Sequence, residues 1–268
     1  MNLYKNNDYS YLHKEDQLAY EKIKQSETQN RKFGRINKFR EYPKAARHFE
    51  HIFPNNYLDI VELKNEQYIK TLCQEYLDFL DAEPNERQVL NFINDQEHYL
   101  LIASLLKLYN FGHHEAYLFK EFQLGTEYIV DYLLVGKGSG GYQFIFIELE
   151  HPSKNAFLKE THDLAEPYRK GINQINDWKY YLELYSDTLI PTFKKAIKTN
   201  DSLPEEFTLN DSTRRHYVVV CGRRNDFEIN QEKSYRIRRQ LEAESRIKLF
   251  HYDNLYNLTL NLIDEDSF

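Results

Sequence analysis

Between Tyr128 and Pro152 the chain reads YIVDYLLVGKGSGGYQFIFIELEHP, two apolar segments on either side of Gly136-Lys137-Gly138-Ser139-Gly140-Gly141. This is a strand–turn–strand signal, and it commits the chain to a sheet. Successive strand residues point to opposite faces. Asp131 is therefore expected on one face with Ile129 and Leu133. On the second strand Tyr142, Phe144, Phe146, Glu148 and Glu150 share a face. Carboxylates two residues apart on a strand lie about 6–7 Å apart. Antiparallel pairing across the turn would bring Asp131 to Glu148. A charge at the end of such an apolar run is costly unless compensated, and a divalent cation bound by oxygen ligands is the natural compensation.

An Asp on one strand and a Glu at the end of the next resembles the metal-dependent nucleases of the PD-(D/E)XK type. Further along, ELEHP (148–152), a polar-aromatic stretch with Phe157 and Lys159, and INQINDW (172–178) are similar to the nuclease-like domain of the Shedu family. That family is a single-protein bacterial anti-phage defence system, and the likeness spans roughly residues 80 to 262. It implies a restriction-endonuclease-like α/β fold, a mixed sheet flanked by helices with an N-terminal extension. It also implies a site in which Asp131, Glu148, the carbonyl of Leu149 and Glu150 hold Mg²⁺ or Mn²⁺. Gln174 on the following helix and Glu86 at the start of an earlier one complete that catalytic set. Homo-oligomers and DNA of phage or plasmid origin are the implied partners. Many such domains carry lysine where this chain has Glu150, which matches a Glu-x-Glu-x-Pro subgroup. Lys154, Lys159 or Lys170 could supply the missing positive charge, which would steady negative charge developing beside an attacking water.

A chain of 268 residues with 41% hydrophobic and 29% charged residues is long enough for one large globular domain or a medium one with an extension. No apolar run approaches the ~20 residues of a membrane helix, and MNLYKNNDYS is not a signal sequence. Cys73 and Cys221 form no disulfide framework, which fits a reducing cytoplasm. The 22 tyrosines and 17 phenylalanines are read first as core filling and second as surfaces for base stacking. Net charge is −7, yet residues 31–47 carry Arg31, Lys32, Arg35, Lys38, Arg40, Lys44 and Arg47 against Glu41 alone. Such asymmetry fits a phosphate-facing surface, or equally a solvated basic helix beside an acidic neighbour.

In order, residues 1–79 read as a basic, partly helical extension and 80–268 as the nuclease-like domain. LDIVELK (58–64) contains a literal Glu-x-Lys after Asp59, but no earlier strand or glycine turn precedes it, so it reads as a surface segment before a helix at 67–79. Asn85 is a candidate N-cap for a helix with Val89, Leu90, Phe92 and Ile93 on one stripe. A second helix is expected over 97–109, a first strand over 116–123 and a long helix over 166–185. Lys170, Gln174 and Trp178 fall four apart on that helix. Residues 191–212 read as linker. HYVVVC (216–221) is a buried strand whose end carries Arg223 and Arg224, candidate phosphate clamps. A helix over 233–246, a strand over 247–251 and a helix over 252–262 follow.

Two other readings compete. The nuclease fold could serve as a non-catalytic nucleic-acid-binding or sensing module, which the substitution of Glu150 for lysine favours. Alternatively the ELEHP carboxylates form a structural ion-pair site, which requires Arg or Lys partners at both Glu148 and Glu150.

Overall fold

The computed structural model describes residues 8–29 and 41–268. Two helices, α1 (Lys14–Gln29) and α2 (Pro43–Glu50), lead to α3 (Glu66–Asp81), α4 (Glu86–Asp95) and the short α5 (Leu100–Ala103). Three antiparallel strands follow: β1 (Glu115–Leu124), β2 (Tyr128–Gly138) and β3 (Gly141–Leu149). The long α6 (Glu166–Tyr185) and α7 (Leu189–Ala196) carry the chain over one face to β4 (Arg215–Val220). α8 (Arg224–Glu228), α9 (Gln231–Ser245), β5 (Ile247–Phe250) and α10 (Tyr252–Leu260) complete it. The sheet order is β1-β2-β3-β4-β5, with β3, β4 and β5 parallel. This is the expected mixed α/β sheet flanked by helices.

Each face of the sheet is covered. Leu133, Val135, Phe144, Phe146, Tyr217 and Val219 pack with Tyr168, Ile175 and Trp178 of α6. Tyr132, Leu134, Ile145, Ile147 and Val218 pack with α3, α5 and α10 through Leu72, Tyr76, Leu101 and Leu255. The aromatic residues fill the core, as expected: Phe53, Phe119, Phe144 and Phe207 all surround Phe193.

The alternation expected around Asp131 is corrected. Val130, not Ile129, joins Leu133 in the core, and Ile129 is 57% exposed. On the neighbouring strand Phe119 and Phe122 likewise face the same core. Lys120 pairs with Tyr132 and Phe122 with Val130, and between them Glu121 adopts φ +48. A residue in the left-handed region interrupts the pleat, so both strands change faces there.

Three further expectations change. The helix expected over 97–109 is α5 followed by a 3₁₀ turn over Ser104–Leu108, in which Ser104 Oγ bonds back to the Leu101 carbonyl at 2.7 Å. Residues 191–212 do not begin as linker, because Pro191 sits in the first turn of α7, where no backbone donor is needed, and Phe193 is fully buried. The segment with Asp59 and Glu62 is not at the surface. Asp59 caps a 3₁₀ turn over Ile60–Lys64 by accepting from Val61 N–H at 3.0 Å, and Leu58 and Leu63 lie in the core.

Candidate functional site

The carboxylates converge where the β2–β3 ladder ends and β3 parts from β2. Tyr132 pairs with Ile147, so the next step of the register sets Asp131 opposite Glu148. Asp131 Oδ2 accepts from the Leu149 backbone N–H at 2.8 Å. Glu148 and Glu150 continue the face of Phe144 and Phe146, beneath α6. Glu150 N–H extends the parallel ladder by donating to the Val220 carbonyl at 2.8 Å. Its own carbonyl accepts from the Tyr252 hydroxyl at 2.6 Å. Glu148 is 4% and Glu150 2% exposed.

α6 can lie this close because residue 171 is glycine. A Cβ there would stand 2.8 Å from Val219 Cγ1 and 3.1 Å from Glu150 Cγ. The preceding residue, Lys170, donates to Glu150 Oε2 at 3.0 Å and lies 3.6 Å from Glu86 Oε2. Of the three candidate lysines, it is Lys170 that reaches the carboxylates. Lys154 and Lys159 are exposed on the loop after Pro152. Glu86 arrives from the first turn of α4, which Asn85 opens with a capping box to Gln88, as its N-cap position predicts. Gln174 lies one turn beyond Lys170, half-buried, and its amide has no hydrogen-bond partner among the described residues. Trp178, next on that stripe, is fully buried in the core.

The electrostatics follow from burial. Asp131 and Glu148 both have raised pKa values, each chiefly through desolvation, and Glu148 is raised further by Asp131 and then Glu150. Glu150 is pushed up to about 7 by burial, against the pull of Lys170. Glu148 Oε2 and Glu150 Oε1 are buried without a hydrogen-bond partner. Glu148 has no ion pair among the described residues, so the structural ion-pair reading, which needs a cation at both glutamates, meets its requirement at Glu150 alone.

Two orphaned carboxylate oxygens beside Asp131 fit a hard divalent cation. As the side chains stand, no three His, Cys, Asp or Glu groups among the described residues are gathered closely enough to hold one. One oxygen of Glu150 is held by Lys170 at 3.0 Å.

Elsewhere, Arg223 is committed to Asp253 at 3.0 Å and Asp81 at 3.2 Å, and Arg224 N–H donates to Asp253 at 2.8 Å. Of the basic run, Arg31, Lys32, Arg35, Lys38 and Arg40 lie outside the described residues. Lys44 pairs with Asp16 at 3.6 Å, and Arg47 is fully buried over the Tyr9 ring. Arg47 is therefore no phosphate contact. No helix among the described residues is long and apolar enough to cross a membrane.

Glu121, Gly171 and Tyr252 were not legible as site residues. Glu121 bears on Asp131 from the interrupted pleat, and only its isolated position in an aromatic strand hints at it. Gly171 is a glycine inside a helix, which often marks close packing. Nothing in the sequence marks Tyr252.

The fold and site define a mixed α/β protein with a buried carboxylate cluster and one lysine at the end of its sheet. The family profile described as Shedu protein SduA, C-terminal, matches residues 83–256, more than half of the chain. The chain belongs to the Shedu family, an anti-phage defence family, as ELEHP and INQINDW imply. No curated protein matches the sequence.

Proposed function

We propose that the chain is a metal-dependent DNA endonuclease of the PD-(D/E)XK type in its Glu-x-Glu form, acting in anti-phage defence at Asp131, Glu148 and Glu150. The observation that carries this is the pair of buried, unpartnered oxygens on Glu148 and Glu150 beside Asp131. Such groups are retained at a cost to stability, and active sites are where such costs concentrate. Asp131, Glu148, the Leu149 carbonyl and one oxygen of Glu150 would hold Mg²⁺ or Mn²⁺. The ion, when bound, neutralises phosphate charge and lowers the pKa of an attacking water.

The chain's own groups do the rest. The Leu149 N–H fixes the Asp131 carboxylate in place. Lys170 supplies the positive charge that the usual motif places at position 150, and its ammonium faces the same carboxylates from α6. Gln174, with an uncommitted amide one turn on, can bond a phosphate oxygen or orient the water. Glu86 lies across Lys170 and limits where that ammonium can go.

A second reading has one observation in its favour: Lys170 already neutralises Glu150 without a metal. On that reading the fold is a non-catalytic nucleic-acid-binding or sensing module. Linear and circular DNA, single- and double-stranded, incubated with Mn²⁺ separates the two. Cleavage by wild type that disappears in Asp131→Ala and Glu148→Ala supports the nuclease; DNA binding with no wild-type cleavage selects the module.

A further inference from the structure

Beside the carboxylate cluster lies an open groove of about 910 Å³ between α6 and the start of β2. That volume is at the upper end of the ~300–1,000 Å³ typical of small-ligand sites. Its α6 wall presents Arg169, Asn173 and Gln174, none of whose side chains has an ion-pair or hydrogen-bond partner among the described residues. The opposite wall is apolar, formed by Tyr128 and the 57% exposed Ile129, two residues from Asp131. Behind it Tyr128 meets Tyr181 edge-on at 5.5 Å. Three further carboxylates, Glu127, Glu166 and Asp177, also reach the groove, so Arg169 and Lys170 leave it without net positive charge.

The charge balance decides what fits. A path for phosphates needs an excess of cations. This groove instead offers an apolar wall facing uncommitted amides and one guanidinium. Those are the groups that stack on a base and read its polar edge: amides pair with adenine and guanidinium with guanine. A base within a paired duplex cannot enter, because its edge is occupied and its faces are stacked.

We infer that the groove is a nucleobase subsite for an unpaired nucleotide flanking the phosphate at Asp131 and Glu148. The preferred nucleic acid is then single-stranded or locally unpaired. This inference rests on the nuclease-site reading for the identity of the adjacent phosphate, and the test separates the two.

Fluorescence anisotropy of the full chain, with Ca²⁺ replacing Mn²⁺, would compare a labelled 20-nucleotide single strand, its blunt duplex and the duplex with one unpaired nucleotide. Wild type should prefer both unpaired forms by about tenfold or more, within the range expected for one stacked base. Ile129→Glu and Asn173→Ala, both on exposed positions, should abolish that preference at unchanged melting temperature. Equal affinity for paired and unpaired DNA, no DNA binding, or variants that keep the preference would each overturn the subsite. A preference for unpaired DNA without cleavage in Mn²⁺ would keep the subsite and sink the nuclease. Cleavage that requires Asp131, with no preference for unpaired DNA, would do the reverse.

Discussion

Lys170 and Glu150 are twenty residues apart in the chain and 3.0 Å apart in space, the helix side chain closing over the strand carboxylate. The lysine is half-exposed, so its pairing contributes little stability, about 1 kcal/mol or less. Its weight should fall on chemistry. Lys170→Met is expected to lower Mn²⁺-dependent cleavage by ~10²-fold, the usual cost of one charge-stabilising donor. Rates on a supercoiled plasmid, beside melting curves, check both halves.

Divalent metal should stabilise the fold by removing the repulsion among Asp131, Glu148 and Glu150. At ten times its dissociation constant a ligand adds about 1.4 kcal/mol, or roughly 3–6 °C for a chain of this size. Thermal melts with and without Mn²⁺ should show that rise in wild type and none in the double variant Asp131→Asn/Glu148→Gln. An unmoved wild-type midpoint removes the metal from the proposal.

Without metal, Glu148→Gln should raise stability while abolishing cleavage. The substitution replaces a carboxyl whose ionisation burial and Asp131 both oppose with an amide that cannot ionise, at nearly constant shape. A gain of about 1 kcal/mol is expected in urea unfolding at pH 8. A loss of that size would mean that the Glu148 carboxylate is held by groups it does not touch in this structure.

The pH dependence follows with a defined sign. The Glu150 carboxyl is raised in the folded protein from its ordinary 4.5 to about 7, and those of Asp131 and Glu148 are raised in the same direction. A raised carboxyl binds its proton more tightly when folded. Its contribution therefore grows as pH falls from above 7 toward 4.5 and is lost as pH rises through that window. The metal-free protein should gain stability between pH 8 and 5, and Glu150→Gln should flatten the gain. Mn²⁺ should have its largest effect at the alkaline end.

Gly171→Ala tests how closely α6 must approach. The added methyl would meet Val219 at 2.8 Å and Glu150 at 3.1 Å, in a packed interface with no slack. A destabilisation of about 1–3 kcal/mol is expected despite alanine's better helix propensity. Unchanged urea unfolding would show that the helix can lift away freely.

The two halves of the site differed in how far the chain disclosed them. Asp131 and Glu148 lie on strands whose period and turn are written into one short run, with Glu150 just past the end of β3, so their approach is a local matter of register. The long helix was legible to its end residues, since 166–185 carries a continuous apolar stripe. The selection of Lys170 over Lys154 and Lys159 was not, because it depends on how α6 sits over β3, a tertiary distance set by Gly171. The change of faces at Glu121 and Asp131 was also hidden, because strict alternation assumes an unbroken pleat. Phe193 packs α7 into the core through contacts distant in sequence, which local polarity around 191–212 obscured.

Tyr252, at the first position of α10, ties the backbone of Glu150 from 102 residues downstream. During synthesis the acidic strand emerges long before the residue that latches it. A chain whose residue 252 has not yet emerged therefore carries Asp131, Glu148 and Glu150 with that anchor missing. The order of synthesis thus builds in a delay: the end of β3 is not tied down until the start of α10 has been made.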